Sequence, residues 1–197
     1  MIPPLKGDGQ GRYRVLIQGN SGVGKSTLAD RLSALLNLPV LHLDEYFWQS
    51  GWKESATEEF REKVLTVTTA SKEGWVVDGN YRSRVGSILE GESTDIIWLD
   101  PPLMLYFPRI FIRTIGRILR LIPQCKDGCD ESFTTTFFSR DSILLWCLTH
   151  HRSNREYQLG KMITEAIDGG GKRRRIGGWG AEYRRWMEGV ERIRKIT

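Results

Sequence analysis

Gly19-Asn20-Ser21-Gly22-Val23-Gly24-Lys25-Ser26-Thr27 is the stretch that decides the fold of this chain. It fits the pattern G-x-x-x-x-G-K-[ST] at every fixed position. The chemistry needs these residue types in this order. Glycines let the backbone wrap closely around phosphate. Successive N–H groups form an anion nest at a helix N-terminus, where the helix dipole favours negative charge. Lys25 adds a point charge toward the β- and γ-phosphates, and the Ser26 hydroxyl is of the kind that ligates Mg²⁺. All nine residues are therefore expected at the nucleotide, with Lys25 also catalytic. The bland alternative is a chance match in a chain of 21 glycines. Context argues against it: residues 13–18 are a short apolar run of strand type, and Leu28, Leu32, Leu35 and Leu36 recur behind the loop at helical spacing.

Working outward, residues 39–44, 75–78 and 95–100 read as three further short strands, each ending at an acid (Asp44, Asp78, Asp100). A helix is expected over 57–69, with Thr57 as its cap and Glu58 and Glu59 in its first turn. A longer helix is expected over 103–121, where Arg109, Arg113, Arg117 and Arg120 step by three and four onto one face. Residues 122–138 read as a polar loop excursion. Helix returns over about 140–167, broken near Ser153. Residues 173–176 suit a fifth strand, the Gly177-Gly178-Trp179-Gly180 turn follows, and 181–195 suits an amphipathic helix. Strands alternating with helices predict an α/β fold of three layers around a parallel five-stranded sheet. Residues 1–11, with two prolines and three glycines, read as a flexible lead-in, and 12–197 as a single domain with a lid segment at about 121–140.

Composition narrows the function classes. Forty per cent hydrophobic and 27% charged residues are ordinary for a globular chain. No window approaches 18 apolar residues, so no membrane span is expected. Three cysteines make no disulfide framework, which points to a reducing, cytoplasmic setting. The net charge is +5, and it is uneven. Residues 172–197 hold nine basic and three acidic side chains, against 20 and 21 in the rest of the chain. Lys172-Arg173-Arg174-Arg175 suits sequence-independent attraction to nucleic acid, or equally a solvated strand edge.

In open α/β sheets ligands bind beyond the carboxyl ends of the strands. Asp78 is the expected metal-site acid, acting with Ser26; its bland alternative is a turn cap. Asp44 is the second choice, able to orient or deprotonate an attacking hydroxyl. Asp100, before Pro101-Pro102, reads as structural. Arginines flanking the 122–138 excursion are candidates for the charge that develops in phosphoryl transfer: Arg113, Arg117 and Arg120 before it, and Arg140, Arg152 and Arg155 after it. A solvated helix face is the alternative. Cys125 and Cys129 are two thiols where a closed zinc site needs four ligands, so no zinc is expected. His42 reads as packed on its strand. No Asn-Lys-x-Asp guanine signature is found, which disfavours a GTPase.

Residues 75–82, Trp-Val-Val-Asp-Gly-Asn-Tyr-Arg, resemble the strand-Asp-Gly-x-Pro-Arg segment of adenylate kinases. In that family the Asp organises the metal and the Arg holds the acceptor phosphate; here Tyr81 stands in place of the proline. Over about 13–165 the chain resembles the bacterial DNA topology modulation family, a branch of adenylate-kinase-like P-loop proteins. Residues 19–27, His42-Leu43-Asp44, Phe47-Trp48, Gly51-Trp52, Asp78 to Tyr81, Ile97 to Asp100, Asp127-Gly128-Cys129 and Arg152 with Arg155 carry that likeness. The resemblance implies an ATP- and Mg²⁺-using, kinase-like fold with sheet order 2-3-1-4-5 and a helical lid. It also implies Arg82 at the acceptor, and residues 176–180 beside the base. The reading that follows is a monomeric ATP-dependent phosphotransferase acting on a small acceptor, a nucleoside monophosphate first. The alternative is a nucleic-acid-associated ATPase holding DNA or RNA through 172–197.

Overall fold

In the computed structural model, residues 2–124, 128–129 and 142–194 are described. Five strands form one parallel sheet: β1 (Tyr13–Gly19), β2 (Val40–His42), β5 (Gly74–Asp78), β6 (Asp95–Asp100) and β7 (Arg173–Gly177). Their order is β2-β5-β1-β6-β7, which is 2-3-1-4-5 when only these strands are counted. A small antiparallel hairpin, β3 (Trp48–Gln49) with β4 (Lys53–Glu54), stands outside it. The helices are α1 (Lys25–Leu36), α2 (Leu43–Phe47), α3 (Thr57–Ala70), α4 (Ser87–Glu92), α5 (Leu103–Ile118), α6 (Ile143–Glu165) and α7 (Ala181–Arg194).

The sheet is buried on both faces, as parallel sheets with crossover helices are. Alternation along β1 sorts the layers. Val15 and Ile17 join Leu28 and Leu32 of α1 and Trp186 and Val190 of α7. Leu16 joins Phe60 and Val64 of α3 and Leu89 of α4 on the other side. Register then brings the carboxyl ends of the strands to one edge, with Ile17 and His42 opposite Asp78, Gly19 opposite Leu99, and Asp100 opposite Gly177.

Several local expectations change. The second strand stops at His42, and Asp44 sits in the one-turn helix α2 with Glu45, where both carboxylates favour the N-terminal end of the dipole. The cap of α3 is Ala56, and the Thr57 hydroxyl instead accepts a hydrogen bond from Arg84 at 3.0 Å. Helix α5 ends at Ile118, and Arg120 beyond it takes a left-handed conformation (φ 56°) that stops further winding. Helix α6 is continuous through Ser153, whose hydroxyl donates back to the His150 carbonyl. Residues Cys125 and Arg140 and most of the expected lid lie outside the described residues. Of that segment, Gly128 accepts from the Gly51 amide (2.8 Å), so it meets the β3–β4 hairpin.

The N-terminal lead-in is tied down rather than loose. Leu5 is buried in the core. The Lys6 and Gly7 amides donate to the Asp95 carboxylate at 2.7 and 2.9 Å. Trp186 Nε1 donates to the Pro3 carbonyl.

The basic run finds its partners within the fold, and two of its four members are fully buried. Arg174 is fully buried, ion-paired to an equally buried Asp95, and donates to the Pro3 and Pro4 carbonyls. Arg173 is fully buried too, and donates to Glu165, Gln18 and Gln158 at 2.7–2.9 Å. Arg175 pairs with Asp100 at 2.7 Å and lies over the Trp98 ring. Lys172 donates to the carbonyls of Glu90, Gly91 and Ser93. Arg173 and Arg174 are fully buried in ion pairs that hold β7 into the sheet, while the Arg175 side chain stays 40% exposed beside Asp100. Among the described residues, no helix is long and apolar enough to cross a membrane.

Candidate active site

The phosphate loop joins β1 to α1 at the strand-end edge. Gly19 has no room for a side chain: a Cβ would lie 2.7 Å from the Leu99 carbonyl oxygen. Gly22 takes φ +80° against Ile110. Helix α1 has no acid in its first turn and no side-chain cap, so its first amides face the loop. Lys25 Nζ folds back to the Asn20 carbonyl at 3.0 Å. Burial pushes the Lys25 ammonium below the ordinary lysine value, and the Asp44 and Asp78 carboxylates oppose that shift.

The residues after β5 form a bracket around this loop. Asp78, buried, accepts from Ser26 Oγ at 2.8 Å through Oδ2. Its Oδ1 meets His42 Nδ1 at 2.6 Å, and His42 Nε2 meets Asp30 at 3.0 Å. Gly79 is forced by the close approach of Leu43, whose Cβ would be 2.9 Å from an added Cβ. Asn80 pairs with the Gly19 backbone both ways, donating at 2.6 Å and accepting at 3.1 Å. Tyr81 Oη donates to Asp44 Oδ1 at 2.6 Å, with its ring against Phe47 and Phe60. Arg82 opens a π-helical turn (Arg82–Gly86) hung on the Tyr81 carbonyl. One four-residue segment, Asp78 to Tyr81, thus ties the phosphate loop and Asp44 together.

His42 is the residue that sequence reasoning missed. The signal lay in register, because His42 closes β2 directly opposite Asp78. The hydrogen bond to Asp78 pushes its imidazole up from 6.5 to about 9. In metal-free protein the His42 ring is therefore expected to titrate near 9 by NMR, and to return toward 6.5 in Asp78→Asn. Because the folded value is raised, this pair stabilises the fold fully below about pH 6.5. The contribution is lost as pH climbs through about 9.

A cavity of about 730 Å³ opens over the loop. Lys25, Ser26 and Asp44 line one side, and Arg109, Arg113 and Arg117 another. Arg113 reaches Ser21 Oγ at 3.4 Å. Residues 176–180 close the far wall with Trp179 two-thirds exposed, which is where the resemblance places a base. Arg82 and Arg155 do not reach this cavity. They line a second one, of about 20 Å³, behind Gly19 and Asn20. There Arg82 donates to Asn154 at 2.7 Å and lies 3.8 Å over the Tyr157 ring. Arg155 pairs with Asp100 at 3.1 Å. Arg152 lines neither cavity; it is 90% exposed and pairs with Glu156 one turn on, so it belongs to a solvated helix face.

The chain's architecture is shared with known enzymes. A gluconokinase from Sinorhizobium meliloti 1021 is similar over 94% of this chain and 96% of its own, at 15% identity and a TM-score of 0.50. The fold is that of the P-loop kinases. A shikimate kinase from Bacteroides thetaiotaomicron is also similar, over 93% of this chain and 97% of its own, at 14% identity and a TM-score of 0.48. No family model matches the chain. No curated protein matches it either, so the DNA topology modulation family stays a resemblance only.

The donor set fits magnesium. Ser26 Oγ and Asp78 Oδ2 are hard oxygen donors brought together beside the loop. No cluster of three or more His, Cys, Asp or Glu suited to a metal exists among the described residues. Mg²⁺ needs none, since it is bound through one or two protein oxygens together with substrate phosphates.

Proposed function

We propose that the chain is a Mg²⁺-dependent phosphotransferase that moves the γ-phosphoryl group of ATP to a small acceptor. The observation that carries this reading is the Ser26–Asp78 contact beneath a complete phosphate loop, with Lys25 and Asp44 lining the same cavity. The amides of residues 22–27 hold the phosphates, and Ser26 with Asp78 would hold the metal. A Mg²⁺ held there would supply neutralisation of the charge on the phosphate oxygens. Lys25, Arg113 and Arg117 face the charge that develops as the phosphoryl group moves. Asp44 accepts the acceptor's proton. The base lies against residues 176–180, and the missing guanine signature favours adenine.

The test is ADP release from Mg²⁺–ATP across an acceptor panel. Asp44→Asn is expected to lower kcat about 100-fold or more while ATP still binds, which is the scale of general-base loss. Unchanged turnover in Asp44→Asn would remove Asp44 from the chemistry.

A further inference from the structure

We infer that His42, with Asp30 behind it, is a positioning residue for the metal site: the two together set which way the Asp78 carboxylate faces. The inference rests on the phosphotransferase reading, in which Ser26 and Asp78 would hold Mg²⁺. It extends that reading to two residues outside the phosphate loop.

Four side chains close a circuit. Ser26 Oγ donates to Asp78 Oδ2 at 2.8 Å. His42 Nδ1 donates to Asp78 Oδ1 at 2.6 Å, and His42 Nε2 donates to Asp30 Oδ1 at 3.0 Å. An ionised carboxylate only accepts, so an imidazole with a carboxylate oxygen at each nitrogen carries a proton on both. Asp30 brings the circuit back to its start. It stands four residues after Ser26 in α1, on the same face of that helix. The circuit therefore joins α1, β5 and β2 at the strand-end edge. Strand β2 is three residues long, lies at the edge of the sheet and pairs with β5. His42 is its last residue, and its side chain ties that end across to α1.

Each bond bears on the metal site. The carboxylate torsion of an aspartate is soft, so a lone Asp can offer either oxygen in many directions. In Asp78 each oxygen has its own donor, Ser26 at one and His42 at the other, and that pair of bonds sets the carboxylate plane. Ser26 gives its one proton to Oδ2, which leaves the lone pairs of its hydroxyl for a cation. Without the imidazole, Oδ1 is a buried acceptor stripped of its donor, and the carboxylate turns to find another. Asp30 acts one step further back. By holding Nε2 it keeps the imidazole from swinging away from Asp78. Partners of this kind tune a metal site without touching the ion.

The experiment measures Mn²⁺ binding to the ADP-loaded protein by electron paramagnetic resonance, and ADP binding in EDTA by calorimetry. Mn²⁺ takes the same hard oxygen ligands as Mg²⁺ and is visible to the first method. His42→Ala is expected to weaken Mn²⁺ about 10- to 100-fold while ADP affinity in EDTA stays within about twofold, the scale and the signature of losing a ligand's hydrogen-bond partner. His42→Asn, whose side-chain amide can still donate to Asp78, is expected to recover most of that loss. Asp30→Asn is expected to weaken Mn²⁺ about twofold to fivefold, since the Asp30 side chain is 62% exposed and its pair with His42 is screened. That exposed position carries the test by itself should His42→Ala fail to fold. Wild-type Mn²⁺ affinity in Asp30→Asn and in whichever His42 variants fold would overturn the inference and leave the phosphotransferase reading standing. An equal loss of ADP affinity in EDTA would also overturn it, because His42 would then be a strut of the loop. No Mn²⁺ binding to the ADP-loaded wild type would overturn the metal-dependent reading itself.

Discussion

Lys25→Ala is expected to lower kcat/KM for phosphoryl transfer about 100- to 1000-fold, the scale of losing one preorganised charge stabiliser. The reason is the placement of the ammonium. It stands at the start of α1, next to the only nest of amides that the loop offers, and its contact to the Asn20 carbonyl keeps it across the loop mouth. Burial lowers its pKa, yet Asp44 and Asp78 oppose that shift, and Arg113 is a like-charged neighbour. Alanine leaves Arg113 and Arg117 in place, so some charge remains near the phosphates and a residual rate is expected. Steady-state ADP release over a range of ATP concentrations reads the effect. Equal turnover in both proteins would contradict the assignment.

Asp95→Ala is expected to destabilise the fold by about 3–5 kcal/mol, because it leaves a buried guanidinium without its counter-charge. Both side chains of the Asp95–Arg174 pair are fully buried. Asp95 also accepts the Lys6 and Gly7 amides and the Thr94 hydroxyl, so one substitution unpairs the N-terminal strap as well as β7. Urea denaturation followed by tryptophan fluorescence measures it, with Trp186 and Trp75 as buried reporters. A loss under about 1 kcal/mol would mean that the pair contributes little. The same result bears on the basic run, since Arg174 is one of the cations that hold β7 in place.

Much of this was legible in the chain. Apolar runs bounded by acids and glycines gave three of the five main strands nearly to the residue, because buried parallel strands carry dense apolar sequence, and the second at twice its length. The fifth, Arg173–Gly177, was placed by its position before a glycine turn and not by apolarity. Its charges were misleading because net charge says nothing of where counter-charges lie. Asp95 and Asp100 lie on β6, 79 and 75 residues before the arginines they pair with.

The site divides in the same way. Ser26 and Asp78 followed from motif and strand end, and the structure brings them within hydrogen-bonding distance. Asp44 lines the cavity over the loop but sits on a helix and not on the strand expected, since the strand residues before it read as a longer strand. Arg82 was expected at the acceptor and Arg155 among the arginines at the transferring charge, but the partners that hold them, Asn154 and Asp100, are tertiary neighbours that no local pattern shows. Arg152 was a candidate by its place after the excursion, and it points to solvent. His42 looked like an ordinary strand residue until register set it against Asp78.

The most direct test of the account is a crystal structure with Mg²⁺ and a non-hydrolysable ATP analogue. The account predicts triphosphate density on the amides of residues 22–27, a metal touching Ser26 and on the Asp78 side, and the base against residues 176–180. Triphosphate bound away from that loop, or a metal with no link to Ser26 or Asp78, would contradict it.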